Sequence, residues 1–215
     1  MPYEAIQATL SPSRFSTYRK AIEESTGDDC LQSALNLYQW NAELSSRFFF
    51  PLHVYEIVLR NAISDAITMR YGDNWPTNQY FLNSLNFQDR RTLENAMRNG
   101  YESVGKVLPE IKFVWYENLL TARHDYRIWD RYIMTIFPNS PDMTSAELRS
   151  RLKAACYTIR RFRNRCGHHE PIFNNSTLND ILPLMTETIK WRCSDTNEWM
   201  VSQETVSELL SNPVI

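Results

Sequence analysis

The sequence predicts an all-α fold, and three observations predict it. Apolar residues recur at spacings of three and four along most of the chain, as one face of a helix requires. Pro, Gly and short polar clusters punctuate those runs at helix-like intervals. No β-branched stretch alternates over several residues between two hairpin turns, and no repeat of fixed period is present.

The elements follow in order. Ser11-Pro12 puts Pro in a first helical turn, ahead of Phe15, Tyr18 and Ile22. Gly27-Asp28-Asp29 opens a second helix on Leu31, Leu35, Tyr38 and Ala42. Pro51 is expected to break or kink it after Phe48-Phe49-Phe50. A longer helix then carries Leu52, Tyr55, Leu59, Ile63 and Ile67 to Gly72. Residues 73–87 read as a loop with aromatic anchors, and Asp89 to Ser103 as a helix polar on one side. Pro109 suits a first turn before Val114, Trp115, Leu119 and Leu120. Another helix runs from Asp125 to Phe137 and stops at Pro138. Thr144 or Ser145 with Glu147 starts a strong helix through Leu148, Leu152, Ala155, Ile159 and Phe162, which Gly167 ends. Leu178–Trp191 and Trp199–Leu210 are the last two.

Composition sets bounds on this picture. With 215 residues and 43% hydrophobic content the chain can bury a sizeable core, as one domain over 1–215. A net charge of −2 gives no global nucleic-acid signature, so any anion-binding surface is local. From Arg149 to Arg165 there are seven basic residues and no acidic one. The four cysteines are widely spaced with no CxxC pair, which argues against a zinc site or thioredoxin-like chemistry. The start MPYEAIQATL lacks a leader pattern, and no apolar run reaches spanning length. A soluble, reduced, cytoplasmic protein without membrane contact is expected.

The chemistry concentrates in Arg163-Asn164-Arg165-Cys166-Gly167-His168-His169-Glu170-Pro171. Arg160, Asn164 and His168 recur at four and share a face, with Arg163 roughly 100° round the axis. A regular helix holds Arg163 and His168 on different faces, and Gly167 could loosen the last turn to bring His168 back. Arg163 suits bidentate phosphate binding, His168 proton transfer near neutral pH, and Asn164 orientation of a ring or backbone group. RNA carries its own nucleophile in the 2′-hydroxyl, so such a set needs neither metal nor other cofactor. The competing reading is helix punctuation: basic residues near a C-terminus favour the dipole, and Gly then Pro stops the helix.

The Arg163-Asn164-x-x-x-His168 order resembles the signature of HEPN domains, and the run to Pro171 resembles the Abi-like family linked to bacterial abortive infection. A second block matches upstream: Leu37-Tyr38-x-Trp40-Asn41-x-x-Leu44-Ser45, then Leu52-His53-x-x-Glu56-x-x-Leu59-Arg60-Asn61-Ala62. A looser third holds Phe113, Trp115 and Leu119, with Trp129 and Phe137-Pro138 after it. It departs from the pattern at Lys112-Phe113-Val114-Trp115, where the family often has Phe-Gly-Phe-Trp. The blocks span about residues 30–175, leaving 176–215 as additional C-terminal helices. The resemblance implies a HEPN-like helical bundle and a metal-independent endoribonuclease of abortive-infection or toxin type. Arg163, Asn164 and His168 would be its catalytic set. It also implies a homodimer that brings two motifs to one cleft, and an antitoxin or other regulatory partner. The alternative is a non-catalytic HEPN module that binds RNA or protein.

The remaining candidates carry two readings each. Arg160 and His169 could support the site or merely finish the helix. Glu56 and Arg60, four apart, make a favourable ion pair, so with Asn61 they read first as a polar strut under the active helix. The other reading sets Arg60 or Asn61 beside the phosphate. His53 reads as packed and His124 as exposed or capping. Trp40, Trp75, Trp115 and Trp129 could stack bases, but at least three of them read as core.

Overall fold

The periodic runs become twelve α-helices among the described residues, with no strand among them. The structure, a computed structural model, describes residues 3–215. Met1 and Pro2, part of the stretch read above as lacking a leader, lie outside the described residues. The helices are α1 (Tyr3–Leu10), α2 (Pro12–Thr26), α3 (Leu31–Tyr71), α4 (Gln79–Leu82), α5 (Phe87–Ala96) and α6 (Val104–Val107). They continue with α7 (Phe113–Leu119), α8 (Asp130–Ile136), α9 (Ser145–Gly167), α10 (Leu178–Arg192), α11 (Ser194–Gln203) and α12 (Val206–Leu210).

The axis of the molecule is α3, one continuous helix of 41 residues where a break or kink at Pro51 was expected. Proline removes one ladder hydrogen bond and costs about 3 kcal/mol inside a helix. Around it Leu44, Phe48, Leu52, Tyr55, Leu59 and Ile63 are all buried at steps of three and four. Each such side chain gains roughly 1.5–3 kcal/mol on burial, so two neighbours outweigh the proline. Helices α2, α7, α8, α9 and α10 all pack on α3, and α9 also touches α7, α8 and α10. The main core lies among them. A smaller cluster joins Phe15, Tyr18 and Ile22 of α2 to Ala34 and Leu37 of α3. Gly27 makes that hairpin possible: its φ of 76° closes α2 in the left-handed conformation that glycine adopts without penalty. Leu31 and Leu35, on the apolar stripe read for this helix, are half-buried against this cluster.

Local hydrogen bonds move several expected boundaries. In residues 73–87, Trp75–Thr77 forms a 3₁₀ turn, and Asn78 Oδ1 accepts from the N–H groups of Tyr80 and Phe81 to start α4. Asn86 accepts from Asp89 N–H at 2.8 Å, which starts α5 at Phe87 and not at Asp89. That helix stops at Ala96, short of Ser103. Asp125–Trp129 forms a π-helical turn ahead of α8. The run from Trp199 to Leu210 divides because the Glu204 carboxylate accepts from Val206 and Ser207 N–H and starts a new helix. Trp75, Trp115 and Trp129 are buried, each donating its indole N–H, to Ser64, Asp89 and Leu119 respectively. Trp40 is half-buried.

Candidate functional site

Helix α9 carries the basic run, and its start explains its length. Thr144 Oγ1 accepts from Glu147 N–H at 3.2 Å while the Glu147 carboxylate takes the Thr144 N–H at 2.8 Å. This capping box satisfies orphan donors in both directions. Leu148, Leu152, Ala155, Ile159 and Phe162 bury the opposite stripe. The helix stays regular to its end, and His168 N–H still donates to Asn164 O at 2.8 Å. Gly167 therefore neither loosens nor reverses the chain. The turning residue is His169, with φ 56°. His169 N–H donates to Cys166 O at 3.1 Å and Glu170 N–H to Arg165 O at 2.9 Å, the paired bonds of a Schellman ending.

Three contacts fasten this ending to the fold. Arg14 Nη1 of α2 donates to His169 O at 2.8 Å. Buried Asn41 of α3 accepts at Oδ1 from Ile172 N–H at 2.7 Å and Phe173 N–H at 3.0 Å. Arg165 donates to Pro171 O and meets Glu170 at 3.4 Å. Beneath it Cys166 is buried beside Ser45, and burial pushes its thiol up to about 12, so it is no thiolate nucleophile.

One groove of about 440 Å³ runs between the end of α9, the middle of α3 and the lead-in to α7. Glu56, Glu110, Lys112, Arg160, Arg163 and Asn164 supply its polar wall. Arg160 Nε donates to Glu117 Oε2 at 2.6 Å, both side chains largely shielded from water. Arg160 is thereby a strut between α9 and α7. Arg163 is 46% exposed at its side chain and meets Glu56 only at 3.7 Å, a loose contact that leaves the guanidinium available. Asn164 is half-buried beside it.

The sequence-predicted residues therefore separate. Glu56, Arg160, Arg163 and Asn164 come together. His168 is exposed at the helix end and lines none of the described cavities. His169 faces another cavity, with Tyr18, Tyr38 and Asn41. The expected Glu56–Arg60 pair does not form among the described residues, because Glu56 turns to Arg163. Arg60 is half-buried with Nε unpartnered, and Asn61 is exposed away from the groove. Both Glu56 and Arg60 act electrostatically on buried Tyr116, in opposite senses. His53 is exposed and His124 buried, the reverse of expectation.

Sequence reasoning missed Glu117, Lys112, Arg14 and the bridging role of Asn41. Glu117 had a signal, an acid among Trp115, Tyr116 and Leu119. Arg14 and Asn41 had none, since their partners are remote in sequence. Among the described residues no group of three or more His, Cys, Asp and Glu gathers as a metal site requires. No helix is long and apolar enough to cross a membrane. Comparison with family models, curated proteins and solved structures finds no match to this chain.

Proposed function

We propose that this chain is a HEPN-like, metal-independent endoribonuclease of bacterial abortive-infection or toxin type, acting as a homodimer. The observation that carries the reading is the open groove in which Arg163 and Asn164 stand side by side, with exposed His168 at the end of the same helix. In the proposed reaction the RNA 2′-oxygen attacks the adjacent phosphorus and the bond from phosphorus to the 5′-oxygen breaks. One His168 takes the 2′-hydroxyl proton, and the His168 of a second copy returns a proton to the leaving 5′-oxygen. Arg163 stabilises the charge on the pentavalent phosphate, displacing its loose contact with Glu56. Asn164 orients the reacting groups. The products are a 2′,3′-cyclic phosphate and a 5′-hydroxyl.

A homodimer suits the exposure of His168, because a second α9 ending can face it without rearranging the core. An antitoxin or other regulatory partner would cover the same end. One observation favours a second reading: His168 lies outside the groove and Glu56 already meets Arg163. That arrangement suits a module that holds RNA or a protein without cutting it.

Purified wild-type protein should cleave RNA in chelator, leaving cyclic-phosphate ends. Arg163→Ala and His168→Ala should each lower the rate about 10²- to 10⁴-fold. Cleavage abolished by chelator, or unchanged by His168→Ala, would sink the mechanism. RNA retained uncut, weakened by Arg163→Ala but indifferent to His168→Ala, would establish the binding module instead.

A further inference from the structure

The basic run of α9 divides between two faces. Arg160 and Arg163, toward the groove above, each have a carboxylate partner in Glu117 and Glu56. Arg161 and Arg165 face a separate pocket of about 500 Å³, closed on its far side by residues 174–177 ahead of α10. No carboxylate lines this second pocket. Arg161 has no acidic partner among the described residues. Its Nη1 donates to Tyr157 Oη at 2.8 Å, and its guanidinium lies 5.5 Å from the Tyr157 ring centroid, so the head group is already oriented. Arg165 donates to Pro171 O and meets the half-exposed Glu170 carboxylate at 3.4 Å, neither of which lines the pocket.

The rest of the lining supplies neutral groups that can donate. Thr158 and Ser176 bring hydroxyls, and Asn174 and Asn175 bring amides. Asn175 Oδ1 is occupied by Thr177 N–H at 2.9 Å and Thr177 Oγ1 at 2.8 Å. Its Nδ2 hydrogens are therefore left for a ligand. Two guanidiniums, several donors and no carboxylate match a group with several anionic oxygens and no need to donate.

We propose that this pocket binds a phosphate group, carried by a polynucleotide backbone or by a small nucleotide, at a site separate from the Arg163 groove. The geometry admits one or two adjacent phosphates, held by Arg161 and Arg165 with Ser176 and the amides around them. The site does not depend on cleavage and stands whether or not the groove is catalytic.

The test reads binding alone. The full chain is titrated with a labelled 2′-O-methyl RNA oligomer lacking terminal phosphates, which has no nucleophile and survives intact. Pyrophosphate serves as competitor. Arg161→Gln should weaken binding roughly tenfold for every oligomer sequence and lower the salt slope by about 0.7. Ser176→Glu, at an exposed position, sets a carboxylate into the pocket and should weaken binding at least as much. Displacement of the oligomer by pyrophosphate assigns the site to small phosphates as well. An oligomer unmoved by pyrophosphate but weakened by both variants assigns it to the backbone. Unchanged affinity in two folded variants, or no binding of either probe to wild type, overturns the proposal.

Discussion

Arg160 and Arg163 lie one turn apart on α9, yet their environments make them different groups. Arg160 is shielded and clamped to Glu117, while Arg163 is half-exposed with only a loose carboxylate contact. Removing charge from a shielded pair strands its partner, whereas an exposed arginine can be recruited by an incoming anion. Burial makes a similar distinction among the histidines. His124 is 2% exposed, and burial, aided by the Arg123 and Arg127 charges, pushes its pKa down to about 4. Below about pH 6.5 the unfolded chain takes up a proton that the folded chain refuses until about pH 4. Stability from this source is therefore complete above the unfolded value and lost as pH falls to the folded one. The loss amounts to about 3 kcal/mol. Urea unfolding of wild type and His124→Gln across that range should show a wild-type-minus-variant difference that falls as pH drops. A wild-type-minus-variant difference that stays constant with pH would overturn the assignment. The order of His53 and His124 was not legible in the sequence, because both sit among mixed neighbours and only packing decides which is enclosed.

At the scale of elements, α9 was the most legible, and the turn that follows it was less so. Its capping box and apolar stripe are local signals and formed as read. The helix does end at Gly167, as read, but Gly167 keeps helical geometry and His169 takes the left-handed position that turns the chain. Tertiary contacts hold it there: Arg14 fixes the His169 carbonyl, and Asn41 fixes the segment that follows. A Cβ added at Gly167 meets nothing within 4 Å. Gly167→Ala should therefore raise stability by about 0.5–1 kcal/mol, read as a higher urea midpoint. It should leave RNA cleavage intact, since His168 does not rely on a loosened turn. Lost cleavage with raised stability would show that the glycine serves motion. The long α3 teaches a related point. Pro51 carries a local instruction to break the helix, and the burial of Phe48, Leu52 and Tyr55 around it overrides that instruction.

At the scale of the whole molecule, the core secures one face of α9 and leaves Arg161, Arg163 and His168 to solvent. The proposed homodimer makes cleavage depend on mass action. Activity per protomer should fall on dilution through the dimer dissociation constant, followed by RNA cleavage alongside sedimentation. Strict proportionality to protein concentration, with the species remaining monomeric, would count against the two-copy cleft. The sequence by itself determined the all-α class, the start and apolar face of α9, and the clustering of Arg160, Arg163, Asn164 and His168 near its end. Those properties rest on period, capping and spacing, which act within a few residues. Only the tertiary structure decided that Glu56 serves Arg163 and not Arg60, that Glu117 engages Arg160, and that His169 turns the chain. It alone divided one basic run between the Glu56-lined groove and a pocket with no carboxylate in its lining. The pairings of Glu56 and Glu117 and the tether of His169 depend on partners tens of residues away, and no local pattern encodes which remote group a side chain will meet.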